Sequence, residues 1–259
     1  MSIPIALNTC SVHAECEEDL PGSLARIAEM GYEGIEFYGY YGRSAAELRQ
    51  LLDSVGLRAA GVHIGSGAIG IGTWRTDLEA SRLGQTVEFH QALGNPYLIV
   101  SWVNPDEMQS RDAWLKFAEE LNRGAERLRP YGMKIGYHSD GWEFRPVDGD
   151  APWDTLAANT HEDVVLQVDT MNFAEHGSDP IYWLEKYADR AYTVHLVEFT
   201  ERTPRVLIGD GDVSWSDVLR ICRAAGKTEW YIIEQERCPC PPMEAAELSL
   251  RNLRQLAED

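Results

Sequence analysis

The feature that most constrains the fold is a regular alternation between short apolar segments and longer amphipathic ones. The apolar segments are predicted strands, and eight are found, at 3–9, 34–39, 57–64, 96–102, 133–138, 163–169, 191–199 and 229–235. Most are continuous apolar runs, which is the pattern of parallel strands that are buried on both faces. The sequence therefore predicts a parallel sheet whose strands are connected by helices.

Helical segments lie between these strands and carry clear boundary signals. They are predicted at about 17–30, 44–55, 74–93, 110–130, 151–160, 179–189, 214–225 and 243–257. Ser44 and Glu47 form a capping box at the start of one helix, and Gly56 ends it. Asp179 followed by Pro180 is a typical helix start. Strands and helices thus alternate strictly.

Eight strand–helix units in 259 residues predict an α/β fold, a single (βα)8 TIM barrel spanning residues 1–259. A doubly wound sheet usually has fewer strands. The segment after the first strand reads LNTCSVH and lacks the glycines of a phosphate-binding loop. A dinucleotide-binding fold is therefore not expected.

Charge and composition restrict the partners. The formal net charge is −19, so the chain should repel nucleic acid and anionic membranes, whereas a small neutral or metal-chelating substrate fits. No apolar run approaches the ~20 residues of a membrane span, and we see no secretory leader. The five cysteines show no disulfide framework. A cytoplasmic protein is expected, with a homo-oligomer left open.

Ionisable residues cluster at the predicted carboxyl ends of neighbouring strands, where the active sites of barrels lie. Glu143, Asp169, His195 and Glu234 follow or end strands five to eight. Three carboxylates that converge on one point would repel each other, and a divalent cation relieves that repulsion. The set predicts one divalent metal ion, Mn²⁺, Mg²⁺, Co²⁺ or Zn²⁺.

Several positions allow two interpretations. His138 competes with Glu143 as the ligand from strand five. Glu36 is either a structural partner of a neighbouring base or part of the site. His63 and Trp102 either line the substrate pocket or pack in the core. Arg237, beyond strand eight, is predicted to contact the substrate.

Several motifs together resemble the sugar phosphate isomerase/epimerase family of xylose isomerase-like TIM barrels. They are GYEGIEFYG, LRAAGVH, GYHSDGWEF, VDTMNFAEHGSDPIYWLEKYADRAYTVHL, GDGDVSWSDVLRICRAAG and WYIIEQ, and they extend over the whole chain. The resemblance implies a metal bound by Asp169, His195, Glu234 and a carboxylate from strand five, which maps to Glu143. It also implies a carbohydrate substrate.

Three segments depart from the family pattern. Ser139 and Asp140 stand where many relatives have Asn-His. Asn172 replaces a histidine common among ketohexose epimerases and is predicted to bind substrate. The usual His-Leu-Lys-Asp after strand seven reads HLVE. These differences line the substrate side and leave the substrate and reaction open.

The mechanism that fits these residues is a metal-assisted proton shift through an enediolate. Glu143 and Glu234 are predicted to act as base and acid on the two faces of the substrate, and His138 as the acid for a leaving group. The first hypothesis is a sugar isomerase or epimerase. The alternatives are a lyase or dehydratase acting on a 3-oxo-sugar, keto-glycoside or keto-inositol, and a non-catalytic metal-bearing subunit.

Overall fold

The protein is an eight-stranded parallel barrel. A computed structural model describes residues 3–65, 78–203, 205–235 and 237–258. The strands pair in chain order, and the last pairs with the first. They are β1 (Ile5–Asn8), β2 (Gly34–Phe37), β3 (Arg58–Ile64), β4 (Tyr97–Val100), β5 (Lys134–His138), β6 (Val165–Asp169), β7 (Thr193–Leu196) and β8 (Trp230–Ile233). The predicted (βα)8 barrel is confirmed.

Helices connect the strands on the outside of the barrel. The described residues form α1 (His13–Glu18), α2 (Leu20–Met30), α3 (Ala45–Val55), α4 (Leu83–Leu93), α5 (Arg111–Leu128), α6 (Pro152–Asn159), α7 (Thr170–Glu175), α8 (Pro180–Tyr187), α9 (Trp215–Ala225) and α10 (Pro242–Glu258). Two of them, α1 and α7, are short helices that the sequence analysis did not predict. The beginning of the predicted helix at 74–93 lies partly outside the described residues.

Helix boundaries follow the predicted signals. The capping box of Ser44 and Glu47 forms at the start of α3, and Gly56 ends α3 in the left-handed conformation. The side chain of Asp179 accepts a hydrogen bond from the backbone of Ile181 at the start of α8. One boundary was missed. The predicted helix at 17–30 is divided at Asp19, whose side chain caps α2.

The barrel interior has two levels. The lower level is apolar and contains Ala6, Ala60, Tyr97, Ile99, Val165, Trp230 and Ile232. The upper level, here called the polar tier, contains Asn8, Glu36, His63, His138, Gln167, Thr193, His195 and Glu234, all buried. Alternate residues of a strand point the same way, so Val165 lies below Gln167 and Ile232 below Glu234. The apolar level supports the polar tier at the carboxyl ends of the strands.

Local irregularity in β2 makes room for one member of the polar tier. The pairing of β2 with β3 shifts between Ile35 and Glu36. A Cβ atom at Gly61 of β3 would lie 2.7 Å from Oε1 of Glu36. A side chain at position 61 would therefore displace the Glu36 carboxylate, and glycine keeps it inside the barrel.

Within the described part of the chain, every helix is too short or too polar to cross a membrane.

Candidate metal centre

Four ionisable side chains converge at the carboxyl end of the barrel. The donor group consists of His138, Asp169, His195 and Glu234, from or directly after β5 to β8. All four are buried, and one ligand atom from each lies within 4.8 Å of the others. The parallel barrel brings them together because neighbouring strands end at the same edge.

His195 is held between two carboxylates. Its Nδ1 lies 2.6 Å from Oε2 of Glu234 and 3.9 Å from Oδ2 of Asp169. Its Nε2 lies 2.6 Å from Oε2 of Glu36. Burial alone would lower the pKa of His195, but the charges of Glu36 and Glu234 and their hydrogen bonds raise it well above its ordinary value. Nδ1 thus faces the donor group, where a bound metal ion would take the place of its proton, while Glu36 orients the ring from behind.

Gln167 determines which nitrogen of His138 can bind a metal. Its Oε1 accepts from Nδ1 of His138 at 2.9 Å, while its Nε2 donates to Glu36 at 2.9 Å and to Thr193 at 2.8 Å. Because Oε1 accepts only, Nδ1 of His138 carries the proton and Nε2 keeps its lone pair. Burial, followed by the nearby His195 and His63, lowers the pKa of His138 to about 3. The imidazole is therefore neutral, as a metal ligand must be.

Glu36 is the centre of the network below the donors. It accepts hydrogen bonds from Asn8 at 2.7 Å, from Gln167 and from His195. Nε2 of His63 is 3.1 Å from its Oε2. Burial raises the pKa of Glu36, but the two histidines outweigh burial and hold it well below the usual range. Glu36 is thus an ionised support beneath the donor group.

A second histidine group is geometrically possible but chemically less suitable. His63, His138 and His195 also place nitrogens within 4.8 Å of one another. Nε2 of His63, however, lies 3.1 Å from the acceptor oxygens of both Gln167 and Glu36, so it carries a proton. This group also contains no carboxylate, whereas the four-residue group has two that would balance the charge of a cation. The four-residue donor group is the better candidate.

The strand-five member of the donor group is His138, and Glu143 lies outside it. Beyond His138 the chain turns at Gly141, where φ is 95°, and a Cβ atom would lie 2.2 Å from the Asn172 carbonyl oxygen. This turn directs Glu143 towards the Tyr137 hydroxyl, which donates to its Oε1. The geometry therefore favours His138 over the predicted ligand Glu143. The donor set becomes two imidazoles and two carboxylates.

Asp140 is an additional acid that the sequence analysis noted only as a departure from the family pattern. Its Oδ2 is buried and has no hydrogen-bond partner in the described part of the chain. Burial, then the charges of Glu143, Asp169 and Glu234, raise the pKa of Asp140 to about 9. Burial also raises the pKa of Glu143 to about 7. In contrast, the charge of His195 lowers the pKa of Glu234 despite its burial.

The residues predicted to bind substrate have different surroundings. Nδ2 of Asn172 donates to the Ser139 carbonyl oxygen at 2.8 Å, and Arg237 forms an ion pair with Glu175. His63 is buried, with its ring stacked on His195. Trp102 follows β4 and is 46% exposed. Substrate contact by these four residues stays a prediction, and of the four Trp102 and Arg237 are exposed.

Sequence reasoning did not assign roles to Asn8 or Gln167, and left Glu36 undecided. The sequence signal that could have identified Gln167 was the alternation of side chains between the two faces of a strand. Gln167 precedes Asp169 by two residues and so shares its face of β6. An uncharged amide within an apolar run is weak evidence for a functional role, because its hydrogen-bond partners come from strands that are distant in the sequence.

The donor group fits a divalent cation. Two buried carboxylates and two imidazoles, each with a hydrogen bond from its second nitrogen, form a common arrangement for Zn²⁺, Mn²⁺ or Co²⁺. Asp169 and Glu234 lie close together in a buried site, so a cation between them would relieve their repulsion. The second imidazole makes Mg²⁺, which prefers oxygen ligands, a poorer match.

The sequence from residue 24 to 256 matches the family model described as xylose isomerase-like TIM barrel. The chain belongs to this family. Among curated xylose isomerase-like relatives, the rhizopine catabolism protein MocC of Rhizobium meliloti is 24% identical, over 99% of this chain and 89% of that protein. An inosose dehydratase of Geobacillus kaustophilus is also 24% identical, over 86% of this chain and 84% of that enzyme.

Solved structures share the fold of this xylose isomerase-like barrel. A sugar phosphate isomerase/epimerase from Parabacteroides distasonis has a TM-score of 0.81 at 21% identity, covering 97% of this chain and 93% of that one. The IolI protein, whose structure holds a zinc atom, has a TM-score of 0.72 at 15% identity and covers 98% of both chains. At these identities the similarity shows the fold alone.

Proposed function

We propose that the protein is a divalent-metal-dependent enzyme that removes a proton next to the carbonyl group of a polyhydroxylated ketone. The observation that carries this proposal is the convergence of His138, Asp169, His195 and Glu234 at the mouth of the barrel. These residues would hold the ion. When bound, the ion supplies Lewis acidity towards an oxygen of the substrate.

The acids around the donor group are suited to opposite roles. Glu234, with its lowered pKa, is ionised and can take the proton from the substrate carbon. Asp140, with a pKa raised to about 9, keeps a proton near neutral pH. Pairs of acids whose pKa values differ in this way are typical of acid–base catalysis. Glu234 is therefore the proposed base and Asp140 the proposed acid.

Loss of water is the reaction that these roles favour. The proton on the carbon next to the carbonyl would go to Glu234, and the electron pair of that C–H bond would form a C=C bond. The proton of Asp140 would pass to the hydroxyl group on the β carbon, whose C–O bond breaks as water departs. The inosose dehydratase among the relatives supports this dehydratase assignment. In this assignment Asp140 takes the role of leaving-group acid that the sequence analysis gave to His138.

Isomerisation or epimerisation is the second candidate, and Glu143 favours it. Its carboxyl group is fully buried, and burial raises its pKa to about 7, so it can both accept and return a proton near neutral pH. The same removal of a proton by Glu234 would begin either reaction. The two differ only in whether the proton returns to carbon or a hydroxyl group leaves.

Proton NMR of metal-loaded protein in D₂O tests the proposal. The substrates are 2-keto-myo-inositol and a panel of neutral ketoses, and Glu234→Gln is the matched variant. Deuterium incorporation with loss of water identifies a dehydratase, and incorporation without loss identifies an isomerase or epimerase. In Glu234→Gln, exchange should fall about 10²–10⁴-fold. Metal-loaded protein that neither exchanges nor converts any of these compounds would overturn the proposal and favour a non-catalytic subunit.

A further inference from the structure

We propose that the hydroxyl group of Ser101 binds the oxygen atom that leaves the substrate, and that Ser101 and Asp140 together form the subsite from which water departs. This inference rests on the proposed function and adds a substrate-binding residue to it. Two observations carry it: the Ser101 side chain points into the barrel, and its hydroxyl is buried with no hydrogen-bond partner among the described residues.

Ser101 points into the barrel although it lies just beyond the last residue of β4. The side chains of Tyr97 and Ile99 belong to the apolar level inside the barrel, whereas Val100 packs in the core outside the ring of strands. The backbone N–H of Ser101 donates to the carbonyl oxygen of Ile64 at 3.3 Å, so the ladder between β3 and β4 continues to this residue. Because alternate residues of a strand point the same way, Ser101 shares the inner face of Tyr97 and Ile99.

This position places Ser101 beside the candidate metal ligand His138 and one step nearer to the mouth than Ile99. The pairing of β4 with β5 ends at Val100 and Tyr137. The next residues, Ser101 and His138, are therefore neighbours on two strands that lie about 4.8 Å apart. A substrate bound to an ion that His138 helps to hold would present its atoms to the Ser101 side chain.

The Ser101 hydroxyl is buried without a protein partner. Ser101 is 7% exposed, and within the described ranges its Oγ makes no hydrogen bond. Buried polar groups in native proteins are nearly always hydrogen-bonded, because an unpaired group loses its hydration without compensation. A ligand oxygen that binds Ser101 when substrate is present would explain why this hydroxyl is left unpaired beside the donor group.

Asp140 contributes the second unpaired atom of the proposed subsite. Its buried Oδ2 has no hydrogen-bond partner in the part of the chain that the structure describes. The charges of Asp169 and Glu234 act on Asp140, which shows that it lies near the donor group. Asp140 follows His138 by two residues, and Ser101 is the neighbour of His138 on β4. The two unpaired groups therefore flank the same metal ligand.

Ser101 and Asp140 would have complementary roles in the loss of water. Asp140 gives its proton to the departing oxygen, which keeps the electron pair of the C–O bond as that bond breaks. Ser101 keeps its own proton and donates a hydrogen bond to the same oxygen, which stabilises the negative charge that develops there. Removal of the C–H proton by Glu234 does not involve this oxygen. Ser101 should therefore affect the departure of water much more than exchange of the C–H proton.

Proton NMR in D₂O measures both events for 2-keto-myo-inositol and the neutral ketoses with metal-loaded, full-length protein. Ser101→Ala should slow the loss of water by about 10²-fold or more, which is the typical effect of removing one such donor. It should change deuterium incorporation little. The matched control Tyr231→Phe removes a buried hydroxyl from the outer face of β8 and should leave both rates unchanged. Calorimetric titration should give the same metal affinity for Ser101→Ala and the wild type.

Thermal unfolding separates this role from a structural one. Because Ser101→Ala removes an unpaired buried hydroxyl, its Tm should not fall below that of the wild type. A lower Tm or a failure to fold would mean that the hydroxyl supports the fold, and overturns the inference. An unchanged rate of water loss, or an equal fall in water loss and exchange, overturns it as well.

The wild type distinguishes failure of this inference from failure of the proposed function. Exchange of the C–H proton without loss of water would overturn only the role of Ser101, because an isomerase or epimerase has no departing oxygen. Neither exchange nor loss of water with any of these compounds would overturn the proposed function and this inference with it.

Discussion

A single amide, that of Gln167, determines the protonation of two imidazoles in the polar tier. Its Oε1 lies 2.9 Å from Nδ1 of His138 and 3.1 Å from Nε2 of His63. Its Nε2 is fixed in turn by Glu36 and Thr193. This network leaves Nε2 of His138 free towards the donor group, whereas Nε2 of His63 is engaged by Gln167 and Glu36. Residues that never touch a metal can therefore decide which side chains bind it.

The identity of the strand-five ligand can be tested by a pair of substitutions. His138→Asn should weaken Zn²⁺ or Mn²⁺ binding by more than about 100-fold, because loss of an outer-shell partner alone costs about 10–100-fold. Glu143→Gln should change metal affinity little, since its carboxylate faces Tyr137. Calorimetric titration of the metal-free protein measures both. The reverse pattern would restore Glu143 as the ligand.

Glu36 is expected to act through His195. Glu36→Gln keeps the size of the side chain but removes the charge that orients the His195 ring. We expect metal affinity to fall by about 10–100-fold. The exposed Glu33, paired with Arg58, provides the control Glu33→Gln, which should bind metal normally. Equal affinities in the two variants would contradict a supporting role for Glu36.

Because of the buried His90, we expect the free energy of unfolding to decrease below pH 6.5. Burial lowers its pKa from 6.5 to about 4, and the neutral ring accepts from Asn95 at Nδ1 and contacts Tyr40 at Nε2. The unfolded state binds a proton at this imidazole more readily than the folded state does. The contribution of neutral His90 to the free energy of unfolding is therefore complete above pH 6.5 and is lost as the pH falls towards 4. Between pH 7 and 5 it should decrease by about 2 kcal/mol.

Urea unfolding of His90→Gln at both pH values measures this contribution. The His90→Gln variant should lose less stability than the wild type between pH 7 and 5. The control His161→Gln, which alters an exposed histidine paired with Glu126, should lose as much stability as the wild type. Parallel losses in the wild type and His90→Gln would rule out the assignment.

At the scale of secondary-structure elements, the sequence predicts the strands and helix ends that are determined by burial and by local capping interactions. All eight strands were predictable because they are buried on both faces, and helix ends such as Ser44 were predictable from their caps. The helices α1 and α7 were missed because six residues are too few to show a period. The direction of Glu143 was also beyond prediction. Past β5 the turn at Gly141 breaks the alternation, so sequence spacing no longer reports the side-chain direction.

The segment after β7 is organised by a single buried carboxylate. Glu198 accepts hydrogen bonds from the backbone of Phe199, Gly209 and Val213 and from the indole of Trp215. Glu198→Ala removes the acceptor for four N–H groups, so the free energy of unfolding should fall by about 2 kcal/mol or more. Amide exchange at Gly209 and Val213 should accelerate.

Denaturant unfolding and hydrogen exchange test this prediction, with the exposed neighbour Glu201→Ala as the control. Normal protection at Gly209 and Val213 in Glu198→Ala would mean that the segment is ordered by other contacts.

At the scale of the whole molecule, metal binding and global stability should be coupled. The donor group joins β5 to β8, and Glu36 links it to β1 and β2, so an ion that binds here connects most of the closed ring. Removing the metal should therefore destabilise the protein. At a free metal concentration 100 times the Kd, the stabilisation is about 2.7 kcal/mol.

Thermal unfolding before and after EDTA treatment and re-addition of Zn²⁺ or Mn²⁺ measures this coupling. The Tm should fall with EDTA and recover with the metal, while Asp169→Asn protein should respond to neither treatment. A wild-type Tm that is unaffected by EDTA, together with no metal in elemental analysis, would refute the metal site.

The division of the barrel interior into an apolar level and a polar tier has a consequence for how such a protein can evolve. Packing among residues such as Trp230 and Ile99 supports the ring of strands from below. Above it, buried charges such as Glu36 reduce the stability of the fold unless their partners compensate for the loss of hydration. Substitutions in the polar tier should therefore change the reaction without disrupting the packing of the apolar level. Apolar replacements in the polar tier should increase the stability of the barrel and abolish its activity.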